Sequence, residues 1–195
     1  MSTIYFRTFE ETDLDCIYQW MNDDDLKKLS VGLNRRMSRE ECRSWLTTRI
    51  NHSPYAEWWA ICSCENNKMI GYACLTGIHY INRSADFSGI MICDKNYQDG
   101  VAWIETYLFI LEYAFERLNM NRLYCHYLAD HRLSSTMADA MFFTTEGIER
   151  EAIYKNGTYH DLVVSSILAR EYYGHKNNKD FETKQVIKRL LKKSK

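Results

Sequence analysis

A short loop at positions 97–102 joins two apolar segments of this sequence and has the composition of a phosphate-binding turn. Before it, residues 87–93 are typical of a buried strand, and after Gly100 apolar side chains recur at helical spacing. The first N–H groups of a helix have no acceptor within the helix. In a helix that begins at such a loop, these groups and the positive end of the helix dipole point towards the loop. Small side chains at Gly100 and Ala102 allow an anion to approach the backbone. The pattern predicts a site for a phosphate-bearing ligand.

The alternative is that this loop has only a structural role. Many strand–loop–helix connections contain a glycine, and short glycine motifs often match by chance. The elements around the loop must therefore decide between the two interpretations.

The composition favours one packed domain. A chain of 195 residues is long enough for a single domain with a sizeable core. Its 25 Lys and Arg residues nearly balance its 26 Asp and Glu residues, so the net charge of -1 provides no basic field that would attract nucleic acid. Aromatic residues make up 14% of the chain and one proline interrupts it, which indicates a globular protein. We therefore expect no nucleic-acid partner.

The cysteines predict a reducing environment. There are seven, an odd number, without any C-x-x-C pair. Cys62 and Cys64 share one strand face, but zinc needs further ligands, so core packing is the better interpretation and no metal is expected. The sequence opens without a basic-then-apolar leader pattern, and Glu105 and Glu112 exclude the most apolar helix as a membrane span. We expect a cytoplasmic protein without a membrane partner.

One strand and two helices are predicted in the first fifty residues. The strand covers residues 4–9, and Thr12 is the expected cap of a helix that ends at the acidic residues 23–25. Ser38 followed by Glu41 has the pattern of a capping box for the second helix.

Period-two and helical patterns continue along the rest of the chain. The predicted strands cover residues 58–64, 69–80, 86–93, 122–128, 149–154 and 160–168. The predicted helices cover residues 101–118 and 133–141. The element order is therefore β-α-α-β-β-β-α-β-α-β-β.

The last twenty residues are basic. Residues 176–195 contain eight Lys or Arg and a candidate helix with apolar residues on one side. We predict a main domain over residues 1–172 and a basic appendage, with a helix, over residues 173–195. The appendage could bind an acidic partner, be solvated, or contact another copy of the chain.

Two motifs in this order resemble those of the GNAT superfamily of acetyl-CoA-dependent N-acetyltransferases, over residues 4–170. That family carries (Gln or Arg)-x-x-Gly-x-(Gly or Ala), which this sequence matches at Gly100 and Ala102, with Gln98 one place late. Its second motif, Asn-x-x-Ser followed by a short helix and Gly-Phe, is matched at Ser134 and Phe143, with His131 in the Asn position and Phe142 in the Gly position. The closing segment at positions 149–161 is similar to the branch that acetylates ribosomal proteins, spermidine and nucleotide amino sugars.

The resemblance implies an α+β fold, an α/β/α sandwich whose mixed, mostly antiparallel sheet is flanked by helices. It also implies acetyl-CoA as the acyl-donor cosubstrate, with the strand backbone pairing with the pantetheine arm and the loop amides holding the pyrophosphate. The cofactor-binding residues that it implies are Ile92, Cys93, Gln98, Asp99, Gly100, Val101, Ala102, His131 and Ser134.

In the family reaction an amine attacks the thioester carbonyl directly, so the protein must accept a proton from the amine and supply one to the thiolate. The resemblance points to Asp86 as the base, and the alternative is that Asp86 is a solvated turn carboxylate. His79, His126 and His131 are further candidates, each of which could instead be structural. Water or Tyr127 could protonate the thiolate.

The predicted function is transfer of acetyl to a primary amine on a small molecule, an amino sugar or a protein N-terminus, by a chain that could form a homodimer. The acidic residues 23–25 would suit a cationic amine, but they could equally be an exposed helix end. The alternative function is a catalytically silent binding or regulatory module. Departures from the family motifs at Tyr97, Asp99, His131 and Phe142 motivate this alternative.

Overall fold

Seven strands and seven α-helices form in the part of the chain that the computed structural model describes, residues 2–32, 35–98 and 100–193. The strands are β1 (Ile4–Arg7), β2 (Glu57–Ser63), β3 (Met69–His79), β4 (Ser84–Ile92), β5 (Arg122–Leu128), β6 (Thr144–Lys155) and β7 (Thr158–Leu168). The helices are α1 (Leu14–Met21), α2 (Asp24–Leu29), α3 (Arg39–Ile50), α4 (Val101–Glu112), α5 (Arg132–Ala140), α6 (Ala169–Asn177) and α7 (Thr183–Lys193).

The strands are ordered β1-β2-β3-β4-β5-β7-β6 in one sheet. β1 pairs with β2 and β2 with β3 in antiparallel fashion, whereas β4 and β5 are parallel. β7 lies antiparallel to both β5 and β6. The predicted α+β class, with a mixed and mostly antiparallel sheet flanked by helices, is confirmed.

The chain divides into two compact units. The first contains Met1–Thr76 and Gly89–Thr106, and the second contains Gly77–Ser88 and Tyr107–Lys195. None of the described helices is both long and apolar enough to cross a membrane.

The core of the first unit lies among β1, β2, β3, α1 and α3. Burial of its apolar side chains stabilises the unit by the hydrophobic effect. These core residues are Phe9, Leu14, Ile17, Cys42, Leu46, Ala60, Cys62 and Met69.

The start of this unit corrects two predictions about caps. Thr12 does not cap α1, because it lies inside a 3-10 turn, Glu11–Asp13, whose Asp13 side chain is buried against Arg7 at 2.7 Å. The acidic residues do not simply end α1. Asp23 instead begins α2 by accepting hydrogen bonds from the backbone N–H groups of Asp25 and Leu26.

The capping box predicted for the second helix is confirmed. The Ser38 side chain accepts from the Glu41 backbone N–H, and the Glu41 side chain accepts from the Ser38 backbone N–H.

The second unit contains the rest of the sheet and the C-terminal helices. Its largest fully buried side chains include Phe115, Leu123, Met141 and Ile167. β6 is longer than the predicted 149–154, because it includes an exposed polar stretch and an irregular register that hide its period-two pattern.

The C-terminal residues pack within this second unit. The sequence pattern did not predict α6, in which Tyr172 is the one buried residue of the helix. The predicted tail helix is present as α7. Its Val186 is buried, and Arg189 donates to the Ala140 carbonyl at 2.9 Å. The division at residue 172 stays a prediction.

Candidate functional site

Gly100 sets the geometry of the loop before α4. Its φ of 93° is in the left-handed region, where a residue with a Cβ is strained. Its carbonyl accepts the first bond of the helix, from the Ile104 N–H at 3.1 Å. A Cβ built on Gly100 meets nothing within 4 Å, so open space lies beside the start of α4. This is the arrangement that an anion needs to reach backbone amides.

An ion pair holds the beginning of this loop. Asp94 accepts from the Asn96 backbone N–H at 3.0 Å and from the Lys68 ammonium at 2.7 Å. The Lys68 hydrogen bond is the main cause that lowers the pKa of Asp94. The carboxylate is therefore charged at neutral pH and keeps the turn closed.

Tyr97 attaches the same loop to the β2–β3 turn. Its hydroxyl donates to Ser63 Oγ at 3.1 Å and accepts from Asn66 Nδ2 at 3.1 Å. The departure from the family motif at Tyr97 therefore has a structural role in this chain.

Four of the predicted cofactor-binding residues around this loop are held by hydrogen bonds or by burial within the protein, and these are Ile92, Cys93, Gln98 and Ala102. Gln98 Nε2 donates to the Ile92 carbonyl at 2.9 Å, so the side chain folds back on the strand end. The Cys93 backbone N–H donates to the Ile70 carbonyl at 2.8 Å. Burial raises the pKa of the Cys93 thiol, which keeps it protonated. Ala102 is buried at the helix start.

The predicted residues fall into two sets. Ile92, Cys93, Gln98, Gly100, Val101 and Ala102 lie in the first unit, and Asp86, His131 and Ser134 lie in the second. Asp99, the remaining predicted residue, lies outside the described residues.

His131 and Ser134 are brought together at the start of α5. Ser134 Oγ and His131 Nδ1 lie 2.6 Å apart. Burial lowers the pKa of His131, and Lys155 adds to this effect while Asp130 opposes it. The imidazole is therefore neutral at pH 7.

Asp86, the predicted base, lies beside His126. Asp86 Oδ2 is 3.9 Å from His126 Nδ1, and Glu149 Oε1 is 3.9 Å from His126 Nε2. The side chains of Asp86 and His126 are 24% and 29% exposed, and that of Glu149 is 52% exposed. Tyr124 packs edge-on against the imidazole, with ring centroids 5.8 Å apart.

Strand register explains how this cluster forms. Asp86 of β4 pairs with Tyr124 of β5, and His126 lies two residues further along β5 on the same face. Across β5, β7 and β6, His126 pairs with Val164, which pairs with Gly147. Glu149 follows Gly147 by two residues, so it shares that face, and its carboxylate extends across β7 towards His126.

The other predicted proton-transfer residues have different surroundings. His79 Nδ1 accepts from the Asn82 backbone N–H at 3.0 Å in the β3–β4 turn. Tyr127 is buried, its hydroxyl lies 3.2 Å from Ser165 Oγ, and strand alternation places it on the opposite face of β5 from His126.

Two of the acidic residues 23–25, Asp24 and Asp25, form ion pairs within the first unit. Asp24 contacts Arg36 at 3.1 Å, and Asp25 contacts Lys28 at 3.2 Å and Lys95 at 3.7 Å. These basic side chains neutralise much of the charge that a cationic amine would require. Within residues 2–32, 35–98 and 100–193, no group of three or more His, Cys, Asp or Glu side chains could hold a metal ion. The expected lack of a metal stays a prediction.

An ion-pair network borders the His126 face. Arg122 forms a bidentate pair with Glu146, with Nη2 to Oε2 at 2.6 Å, and also donates to Ser166 Oγ at 2.8 Å. Arg122, followed by Ser166, lowers the pKa of Glu146 to about 2. The pKa of Glu146 is lower in the folded state than in the unfolded state. The ion pair therefore stabilises the fold at pH values above the ordinary carboxyl pKa, and this stabilisation is lost as the pH falls towards 2.

We expect Glu146→Gln to lower the free energy of unfolding at pH 7 by less than about 1 kcal/mol, since the side chain is 39% exposed and solvent screens the pair. The difference from the wild type should shrink below the ordinary carboxyl range and vanish near the pKa of about 2. Urea unfolding of both proteins across this range measures it. Glu65→Gln, at an exposed site, is the control, and an equal loss at every pH would contradict the electrostatic explanation.

Comparison with known proteins identifies the family. The acetyltransferase (GNAT) domain model matches residues 6–164. The putative ribosomal N-acetyltransferase YdaF of Bacillus subtilis is 37% identical over 67 residues, which span 34% of this chain and only 37% of that protein. Spermidine N(1)-acetyltransferase of Vibrio cholerae is 31% identical over 105 residues, 53% of this chain and 59% of that protein.

Solved structures agree with this fold. The crystal structure of spermidine N-acetyltransferase from Vibrio cholerae in complex with CoA and spermine superposes with a TM-score of 0.79 and 24% identity, over 88% of this chain and 98% of that one. At this identity the similarity concerns the fold alone. Because the domain model covers most of the chain, the protein belongs to the GNAT acetyltransferase family.

Proposed function

We propose that this protein transfers acetyl from acetyl-CoA to a primary amine. The observation that carries the proposal is Gly100, held at a φ of 93° beside open space at the start of α4, in a chain of the GNAT family. A glycine in this conformation leaves room for a pyrophosphate and aligns the helix start towards it.

The proposed donor site uses the predicted residues. Gly100 and Ala102 admit the pyrophosphate, and the backbone of Ile92 and Cys93 borders the pantetheine arm. The proposed loop also includes Gln98, Val101 and Asp99, the last of which lies outside the described residues. His131 and Ser134 are proposed to contact the same cosubstrate as the resemblance implies. Acetyl-CoA supplies an activated thioester, so the protein needs no covalent nucleophile.

The proposed acceptor is a small amine, an amino sugar or a protein N-terminus. The similarity to a spermidine N(1)-acetyltransferase supports a polyamine, and the similarity to a putative ribosomal N-acetyltransferase supports a protein substrate. The ion pairs of Asp24 and Asp25 give no support for a polyamine site at residues 23–25.

A homodimer and a cytoplasmic location are also proposed. A spermidine N-acetyltransferase from Vibrio cholerae has a dodecameric structure, which is a precedent for self-association in this fold. Sedimentation equilibrium of this protein would show a mass above that of one chain if it self-associates.

The function is tested by two assays on the purified protein. Calorimetric titration with acetyl-CoA and with CoA should show binding. Release of the CoA thiol should then depend on an added amine, with spermidine, an amino sugar and a peptide bearing a free α-amino group as probes. Binding without thiol release for any of these amines would favour the silent module, and the absence of binding would overturn the proposed donor site.

A further inference from the structure

We infer that His126, rather than Asp86 alone, accepts the proton of the acceptor amine, with Asp86 and Glu149 as positioning residues. This inference rests on the proposed function and deepens it. Its evidence is the geometry of one cluster, all of whose members lie in the second unit.

His126 differs from the other histidines of the chain. Four of the six have a ring nitrogen within hydrogen-bonding distance of a partner, and these are His79, His131, His160 and His175. His52 is exposed. His126 is partly buried, and among the described residues no group lies within hydrogen-bonding distance of either of its ring nitrogens. The ring of His126 is therefore not held by a hydrogen bond to the described residues, unlike the rings of those four histidines, and it stays available to a substrate.

The two carboxylates suit a histidine that is protonated transiently. Each lies 3.9 Å from a different ring nitrogen, which is too long for a hydrogen bond to the neutral ring but within ion-pair distance of an imidazolium. Each ring nitrogen of His126 therefore faces one carboxylate oxygen. Partial burial strengthens these interactions relative to those of a fully exposed pair.

The position of His126 on β5 leaves it accessible. Among the described residues, parallel pairing between β4 and β5 ends at Asp86 and Tyr124, and β5 continues to Leu128. His126 lies beyond that last pair, and 29% of its side chain is exposed. A small amine could approach its ring.

The proton balance of the step is simple. The acceptor ammonium gives one proton to His126, and the freed electron pair on nitrogen forms the new N–C bond. The C–S bond breaks and its electron pair stays on the sulfur. Nitrogen loses a second proton as the amide forms, the thiolate takes up one proton, and His126 returns its own to solvent. Imidazole is suited to this task because it changes charge near neutral pH, unlike a carboxylate.

Chemical rescue tests this role. We expect His126→Ala to lower kcat by roughly 10²-fold, the usual contribution of a general base, with little change in KM for acetyl-CoA. Added imidazole should restore part of the lost rate, because it can occupy the space of the missing ring and accept the proton. Asp86→Asn and Glu149→Gln should each lower kcat by a smaller factor. Calorimetric binding of CoA should stay unchanged in all three variants.

The control is His160→Ala. His160 is also a partly buried histidine of the second unit, and its Nδ1 lies 3.5 Å from Asp130. This variant should keep wild-type kcat and show no response to imidazole. If the wild type acetylates spermidine and His126→Ala keeps its rate, or loses it without rescue by imidazole, the inference is overturned while the proposed function stands. If the wild type binds CoA but acetylates none of the probe amines, the proposed function fails and the inference with it.

Discussion

Gly100→Trp should lower the affinity for CoA by at least 100-fold, which corresponds to about 2.7 kcal/mol of binding free energy. An indole at this position would fill the open space beside the start of α4, and any residue with a Cβ is strained at a φ of 93°. Gly100→Ala should give a smaller loss, because it adds the strain of about 1–2 kcal/mol without filling the space. Calorimetric titration with CoA measures both.

The matched control is Gly174→Trp. Gly174 lies in α6, where an added Cβ also meets nothing within 4 Å and no left-handed φ is required. This variant should bind CoA as the wild type does. Unchanged affinity in Gly100→Trp, with thermal unfolding close to that of the wild type, would place the phosphate site elsewhere.

Gly71→Ala should lower the free energy of unfolding by about 3 kcal/mol, the upper end of what overpacking usually costs. A Cβ on Gly71 would lie 2.1 Å from the Met91 carbonyl oxygen and 3.0 Å from the Ile92 Cα, so backbone must move. The Ile92 carbonyl also accepts from Gln98, and a shift of this strand end would disturb the loop. Urea unfolding and CoA titration of this variant should therefore both show a loss.

Gly174→Ala is the control for this substitution. Its added methyl group meets open space inside a helix, where alanine is favoured over glycine by about 1 kcal/mol. This variant should unfold at the same or a higher urea concentration than the wild type. Equal stability of Gly71→Ala and the wild type would mean that β3 and β4 are not as closely packed at Gly71.

Local patterns predicted most of the fold. The capping box at Ser38 and Glu41, the alternating strands and the loop before α4 each depend on neighbours within a few residues, and these are present. α2 was missed because Asp23–Asp25 could end one helix or begin another, and only the bonds that Asp23 accepts distinguish the two. α6 was missed because it buries a single residue and so lacks an apolar stripe.

The site was harder to predict than the fold. Glu149 is far from His126 in sequence, and it approaches His126 because β5 and β6 both pair with β7 and place the two side chains on one face of the sheet. The irregular register of β6 hides this alternation, so strand periodicity alone would not have found it. Tyr97 counted as a departure from the family motif, and only its contacts with Ser63 and Asn66 reveal its structural role.

The measurement that tests the central claim most directly follows an isotope label from donor to acceptor. The purified protein is incubated with acetyl-CoA that carries a carbon-13 acetyl group and with the three probe amines, and the products are analysed by mass spectrometry and NMR. The proposed function predicts the label in an amide on the nitrogen of at least one amine, with one CoA thiol released for each amide formed. A folded protein that binds CoA and yields no labelled amide would contradict it.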